Sequence, residues 1–299
     1  VAAEPAREAL VTNQTGDSLA VVQLSAGGMT VSGEIAIPGK PAGIALSPDR
    51  RIAYVTAPEG KAVAVVDVEA RRVVRQIPAG AGPLGIAVDP VSGRVFVADW
   101  YQHRILVLPP GGGEALAEVA VGQSPSGLAV TPDGKLLVSA DRDSNQVSLI
   151  DTASLAVTAV VGVGERPFGV TLSADGLRAY TANVASNDVS VIDLAAKKVV
   201  GTVKVGRRPY AVALTGGRAF VSDQYSASVT VFDTASLAVV ATIPTGEYPE
   251  GIAADPSGRH VYVACWSDDT LERIDTSTLK VVAKVKVGAG PRAFGDFLR

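Results

Sequence analysis

Residues 167–206 read PFGVTLSADGLRAYTANVASNDVSVIDLAAKKVVGTVKVG, and the rest of the chain repeats the pattern of this stretch. It contains four short runs rich in Val, Ile, Thr and Tyr, at 168–172, 179–182, 189–192 and 199–205. β-Branched and aromatic residues in alternation are typical of strands, whereas Asp-Gly and Gly-x-x-Pro are typical of turns. The stretch therefore predicts four short strands joined by turns.

The same pattern returns at a nearly constant period. Successive prolines that open each repeat, which we call the anchors, are separated by 42, 42, 42, 42, 40 and 42 residues. The anchors are Pro41, Pro83, Pro125, Pro167, Pro209, Pro249 and Pro291. No segment shows the i, i+3, i+4, i+7 spacing of an amphipathic helix, which excludes a helical solenoid. Four strands in each period of this length are typical of a β-propeller blade.

The two ends of the chain fix the number of blades. Residues 10–37 match the second, third and fourth strands of a repeat but lack the first, which follows Pro291 instead. We therefore predict an all-β, seven-bladed β-propeller with four-stranded antiparallel blades, closed by a C-terminal strand that completes the N-terminal blade. It forms a single domain, in which closure removes exposed sheet edges. The predicted units are 41–82, 83–124, 125–166, 167–208, 209–248 and 249–290, with a split blade formed by 1–40 and 291–299.

The ends of the second strands carry a recognisable motif. They read LVTN (10–13), YVTA (54–57), FVAD (96–99), VSAD (138–141), YTAN (180–183), FVSD (220–223) and YVAC (262–265). Over essentially its full length the chain resembles the YVTN family of seven-bladed propellers, whose neighbours include lactonase-like propellers and amine dehydrogenase heavy chains. The resemblance implies a bacterial or archaeal protein exported to the periplasm or cell surface, and the N-terminus is read as the product of signal-peptide removal. Fold alone does not define an activity.

Composition excludes several classes of function. The chain has 47% hydrophobic residues, a net charge of −3, one cysteine and two histidines. It has no uninterrupted apolar run of the ~18 residues that a membrane span needs. The single cysteine, Cys265, excludes an internal disulfide, and the charge disfavours nucleic acid. We predict no metal site and no cofactor, and we expect a monomer.

Residues that recur in every blade are predicted to be structural. Aromatic residues recur at one position of the second strand, and we expect them to pack between blades. Asn or Asp ends most second strands, and we expect its short side chain to cap the turn that follows. Cys265 stands at this position in the last repeat and is interpreted as a half-buried substitution rather than a reactive thiol.

The residues that do not recur gather in two sets of loops. The loops before the anchors and those after the second strands are expected on one rim, which we call the top face. These loops hold seven of the fifteen aromatic residues of the chain. Large aromatic side chains in polar loops have no core to fill and indicate recognition. The predicted binding residues are Trp100, Tyr101, His103, Arg104, Arg142, Arg166, Phe168, Arg208, Tyr210, Tyr225, Tyr248, Glu250, Trp266 and Arg292.

We predict a non-catalytic binding or scaffold module that recognises a small anionic ligand or another exported protein, because arginine beside aromatic rings suits either. A lactonase-like hydrolase or a lyase on the same face is the alternative, with His103 as a general base. Stacking of single-stranded nucleic acid is a weaker alternative, since the net charge opposes it. No residue is assigned a catalytic role.

Overall fold

The computed structural model of the protein describes residues 4–299 and confirms the seven-bladed propeller. Its strands form seven separate sheets, of which six are simple antiparallel meanders and the seventh also includes the short C-terminal strand in parallel at its inner edge. We number the blades I to VII, blade I being the split blade. Within residues 4–299 no helix is long and apolar enough to cross a bilayer.

The strand bounds follow the repeat. Blade I contains β1 (Glu8–Asn13), β2 (Ser18–Ser25) and β3 (Gly28–Ala36). Blade II contains β4 (Gly43–Leu46), β5 (Ile52–Ala57), β6 (Ala62–Asp67) and β7 (Arg72–Pro78). Blade III contains β8 (Pro83–Val88), β9 (Val95–Asp99), β10 (Arg104–Leu108) and β11 (Ala117–Ala120). Blade IV contains β12 (Pro125–Val130), β13 (Leu136–Asp141), β14 (Gln146–Asp151) and β15 (Val157–Gly162).

The remaining blades have the same plan. Blade V contains β16 (Pro167–Leu172), β17 (Arg178–Asn183), β18 (Asp188–Asp193) and β19 (Lys198–Lys204). Blade VI contains β20 (Pro209–Thr215), β21 (Arg218–Asp223), β22 (Ser228–Asp233) and β23 (Val239–Pro244). Blade VII contains β24 (Pro249–Ala254), β25 (His260–Cys265), β26 (Thr270–Asp275) and β27 (Lys280–Lys286). β28 (Phe294–Gly295) is the C-terminal strand.

Burial explains the composition of the strands. The second and third strands of a blade are buried on both faces, whereas outer strands such as β19 alternate between exposed and buried residues. The aromatic residues of the second strand are at most 2% exposed and pack between blades, as predicted. These residues are Tyr54, Phe96, Tyr180, Phe220 and Tyr262.

The C-terminal segment closes the ring, which confirms the predicted closure. The N–H of Arg292 donates to the carbonyl of Thr12 at 2.7 Å, and the N–H of Leu10 donates to the carbonyl of Phe297 at 2.8 Å. β28 also pairs in parallel with Gly43 and Ile44 of blade II. The segment therefore completes blade I and joins it to its neighbour.

The inner strands approach each other unusually closely. The second residue after each anchor is small, being Gly43, Gly85, Gly127, Gly169, Ala211, Gly251 and Ala293. A Cβ atom added at Gly85 would lie 1.7 Å from the carbonyl oxygen of Ser126 in the next blade. At Gly43 the corresponding distance, to the carbonyl oxygen of Leu84, is 2.2 Å. Real Cβ atoms do not approach so closely, and therefore the small residue sets the spacing of the ring.

Replacing Gly85 by alanine should lower the free energy of unfolding by about 2–4 kcal/mol, because the new methyl group must push two blades apart. Chemical denaturation monitored by tryptophan fluorescence measures this loss. Gly162→Ala is the matched control, since a Cβ at that position meets nothing within 4 Å. An equal effect of the two substitutions would show that inner-strand spacing does not limit stability.

Candidate functional site

The pairing of inner and second strands defines the top face. Each anchor lies opposite the last residue of the second strand, as in the pairs Pro83–Asp99 and Pro209–Asp223. The loops before the anchors and the loops after the second strands are therefore adjacent. Nearly all of the predicted binding residues lie in or beside these loops, but the structure divides them into groups with different roles.

The first group closes the central channel at the top face. The ring centroid of Phe168 lies 4.6 Å from that of Tyr210 and 5.0 Å from that of Phe294. Tyr210 and Phe294 meet edge to face at 5.3 Å. These rings come from blades V, VI and I, and so their contact spans the channel. We call Phe168, Tyr210 and Phe294 the aromatic plug. Phe294 was not predicted, although it stands where the other inner strands have Ile, Leu or Val.

An ion pair borders the plug. Arg292 Nε donates to Glu250 Oε2 at 2.8 Å, and Gln224 Nε2 donates to Glu250 Oε1 at 2.6 Å. The Glu250 side chain is 3% exposed and that of Arg292 is 21% exposed. The guanidinium of Arg292 lies 5.8 Å from the ring centroid of Tyr210, and burial raises the pKa of the Tyr210 hydroxyl. Since Glu250 already neutralises Arg292, this arginine is not a free anion receptor.

The second group is a partly exposed patch on blades VI and VII. The ring centroids of Tyr225 and Tyr248 are 5.4 Å apart, and those of Tyr248 and Trp266 are 6.4 Å apart. The guanidinium of Arg208 stacks 4.4 Å from the Tyr225 centroid and also donates to its hydroxyl at 2.9 Å. We call Arg208, Tyr225, Tyr248 and Trp266 the aromatic rim. Tyr225 is 43% exposed and Tyr248 is 39% exposed.

Four further predicted residues lie around these groups. Arg142 stacks 5.4 Å from the centroid of Trp100, whose ring lies 6.3 Å from that of Phe168. Trp100 therefore extends the plug towards blade III. Tyr101 is 69% exposed, and Arg166 is exposed as well. Neither of these two joins the aromatic rim through a ring contact within residues 4–299.

His103 belongs to a repeated structural contact, which we call the inter-blade latch. In this latch the acceptor is a side chain in the loop after the second strand. The donor is the backbone N–H of the residue that directly precedes the anchor of the next blade. His103 Nδ1 accepts from Ser124 N at 3.1 Å. The equivalent contacts, each 2.8 Å long, are Asp17–Lys40, Asn145–Arg166, Asn187–Arg208 and Asp269–Gly290.

The latch determines how the ring of His103, the general base of the alternative enzymatic function, is hydrogen-bonded. All five acceptor residues have a left-handed backbone, with φ between 51° and 55°, which Asn, Asp and His tolerate better than most residues. Because His103 Nδ1 is an acceptor, the ring proton resides on Nε2. In this arrangement the backbone N–H of Ser124 engages the Nδ1 lone pair of His103. Its neighbour Arg104 pairs with Asp99 at 3.4 Å and with Glu118, both in blade III.

The acidic residues that end the second strands do not cap the turn that follows, and this part of the prediction was wrong. Asp99 instead accepts from the N–H groups of Ala81 and Gly82, in the loop before its own anchor. Asp141 accepts likewise from Gly122 N at 3.0 Å. Antiparallel pairing sets the anchor beside the strand end, so the preceding loop presents the nearest unpaired donors.

Blade VII fills this position differently. There Glu272, on the third strand, accepts from Gly246 N at 3.2 Å, and Cys265 occupies the usual Asp position. Cys265 is fully buried rather than half-buried, and burial raises the pKa of its thiol. A raised pKa keeps the thiol protonated and unreactive.

The chain belongs to the YNCE-like beta-propeller family, whose model matches residues 111–296, more than half of the sequence. Residues 11–138 match the SMP-30/Gluconolactonase/LRE-like region. No curated protein matches the sequence.

Two solved structures share the fold. A chain of Kuenenia stuttgartiensis hydrazine synthase is 23% identical, with a TM-score of 0.78 over 86% of this chain and 89% of that chain. A functionally unknown protein from Desulfotomaculum acetoxidans DSM 771 is 15% identical, with a TM-score of 0.81 over 98% of both chains. At these identities the likeness shows the propeller fold alone.

Replacing Ala227 by asparagine should raise the free energy of unfolding by about 1 kcal/mol, since it supplies a missing latch. Ala227 has a left-handed backbone, with φ of 48°, and occupies the acceptor position opposite Tyr248 N, but its methyl group cannot accept a hydrogen bond. Denaturant unfolding measures the gain, with Ala235→Asn in an exposed turn of the same blade as the control. No gain over that control would contradict the latch.

Replacing Asp223 by asparagine should stabilise the protein above about pH 6. Burial raises the pKa of Asp223 from 3.8 to about 6, and its Oδ1 has no hydrogen-bond partner within residues 4–299. Because the pKa of Asp223 is higher in the folded state than in the unfolded state, folding favours the protonated acid. The stability that Asp223 contributes is therefore fully present below the unfolded pKa of 3.8 and is lost as the pH rises through the folded pKa of about 6. The variant should gain roughly 1–2 kcal/mol at pH 7.5. Unfolding free energies of both proteins between pH 4 and 8 test this, and a difference that does not change with pH would contradict it.

Proposed function

We propose that this protein is a binding module that docks a partner protein on its top face, with the aromatic rim at the centre of the contact. The observation that carries this proposal is the run of ring contacts from Tyr225 through Tyr248 to Trp266 beside Arg208, in which Tyr225 and Tyr248 are exposed and Trp266 is half-buried. Tyr, Trp and Arg are the residues that most often dominate the binding energy of protein interfaces.

The charges on the top face favour a protein over a small anion. Most of the predicted arginines are paired with a carboxylate: Arg292 with Glu250 at 2.8 Å, Arg142 with Asp143 at 2.6 Å and Arg104 with Asp99 at 3.4 Å. To bind any of these three arginines, a small anionic ligand would have to displace a carboxylate. A protein partner instead gains from aromatic surface and from a rim of mixed charge.

The shape of the face supports the same choice. The aromatic plug fills the channel mouth, so the top face offers side chains rather than a deep hole at its centre. The guanidinium of Arg208 lies 4.4 Å from the Tyr225 ring centroid and donates to its hydroxyl, and these two contacts order the ring before a partner arrives. Side chains that are already ordered lose less entropy on binding.

Site-specific photocrosslinking tests the proposal. A photoreactive phenylalanine analogue at Tyr248 should capture one protein from cells of the source organism, whereas the same analogue at Leu177, 60% exposed on the opposite face, should not. The captured protein, once purified, should bind the Tyr225→Ala/Trp266→Ala variant at least 30-fold more weakly, as about 2 kcal/mol predicts. Leu177→Ala should bind normally. Unchanged binding of the double variant would overturn the choice of surface.

We further propose that the partner is an exported protein, in line with the resemblance to the YVTN family. Fractionation of cells that express the natural gene, followed by detection of the protein in each fraction, tests this location. Recovery in the cytoplasm alone would contradict it.

A second candidate function, hydrolysis of a lactone, is favoured by the match of residues 11–138 to the SMP-30/Gluconolactonase/LRE-like region. Within residues 4–299 no three His, Cys, Asp or Glu side chains are grouped to hold a metal ion. A panel of lactones assayed with Ca²⁺, Mg²⁺, Mn²⁺ and Zn²⁺ tests this candidate. Hydrolysis that copurifies with the protein would support it, and a rate equal to that of buffer would exclude it for the lactones assayed.

A further inference from the structure

The central channel contains a cavity on the side away from the aromatic rim. The cavity has a volume of about 660 Å³ and is lined by the second halves of the inner strands. Its wall also includes Ser173 and Gly216, in the turns between inner and second strands, so it opens on the face opposite the top face. Phe294 of the aromatic plug borders the end of the cavity nearer the top face. Cavities of this size are typical of small-molecule sites.

The wall of this cavity is apolar with one acidic exception. The fifth residue after each anchor lines a ring that consists of Leu46, Val88, Val130, Leu172, Leu214, Ala254 and Asp296. Arg218 is the other charged side chain in the described wall, and its guanidinium donates to the carbonyl of Thr276 at 3.2 Å. Asp296 is therefore the acidic group available to a ligand at this level.

Asp296 pairs with Arg50 but remains accessible to a ligand. Arg50 Nη1 lies 3.3 Å from Asp296 Oδ2, and the two side chains are 44% and 51% exposed. A pair this exposed contributes at most about 1 kcal/mol, so another cation can share or replace Arg50.

We propose that the channel binds a small apolar molecule that carries a protonated amine. The apolar body enters first and packs against the aliphatic wall towards Phe294, and the ammonium group pairs with Asp296 nearer the mouth. Phe294 and Asp296 are two residues apart in the chain, which sets these groups at most roughly 7 Å apart, a distance that an arylalkylamine spans. The ammonium group of the ligand provides Asp296 with a positively charged partner on the side that faces the channel. This site is separate from the aromatic rim, and its test does not depend on the proposed protein partner.

Calorimetric titration with three matched compounds tests the inference: 4-phenylbutylamine, 4-phenylbutan-1-ol and 4-phenylbutyrate. The amine should bind at least tenfold more tightly than the alcohol, and the carboxylate should bind weakest. Asp296→Asn should lower the affinity for the amine to that for the alcohol, whereas Asp175→Asn, in a nearby exposed turn, should leave it unchanged. Arg50→Gln should strengthen amine binding a few-fold by removing the competing cation.

A substitution that fills the cavity provides a second, independent test. Val130→Trp should abolish binding of the amine and the alcohol together, and a thermal unfolding curve establishes that the variant is folded. Equal affinity of the wild-type protein for the amine and the alcohol would overturn the inference. An unchanged amine affinity in Asp296→Asn, or no binding of the amine at millimolar concentration, would also overturn it.

Discussion

The backbones of neighbouring inner strands lie so close together that they leave no room for a side chain at several glycines, and the rest of the ring depends on this spacing. The carbonyl oxygen of Phe168 lies only 2.5 Å from where a Cβ of Gly127 would be, and the carbonyl oxygen of Tyr210 stands in the same relation to Gly169. A larger side chain at these positions would widen the ring and separate the blade faces. The hydrophobic contacts between blades can form only because the inner strands are this close.

The same closeness determines which side chains meet at the channel mouth. The residue directly after each anchor belongs to one column around the ring: Ala42, Leu84, Ser126, Phe168, Tyr210, Glu250 and Arg292. The bulky members belong to consecutive blades, so neighbours in the column touch. Phe168 stacks with Tyr210 and Glu250 pairs with Arg292, each pair one period apart in sequence. One half of the ring supplies the plug while the other half leaves room for it.

The sequence was sufficient to predict the fold because the pattern of each strand and turn occurs in several repeats. It was less informative about the site, where single residues matter. His103 looked exceptional among its neighbours in the chain, yet it lies one period before Asn145 and performs the same backbone contact. Aligning the repeats places His103 at the same position as the Asn and Asp residues of the other latches, and this alignment could have predicted its role. His, Asn and Asp all carry a hydrogen-bond acceptor and all tolerate a left-handed backbone. The contact of Phe294 with Phe168 had no such signal, because the two residues belong to blades that are not neighbours.

The aromatic plug has a consequence for how the two faces of the propeller relate. Phe294 is shared between the plug and the cavity wall, whereas the ion pair of Glu250 and Arg292 borders the plug on the top-face side. A molecule in the cavity therefore touches the plug from below without reaching the aromatic rim. Gln224, which donates to Glu250, is followed directly by Tyr225 of the rim, so one loop contacts the ion pair beside the plug and also supplies a residue of the rim. The contacts of Phe294 with Tyr210, of Tyr210 with Arg292, and of Arg292 and Gln224 with Glu250 form a continuous chain of side chains from the cavity wall to this loop.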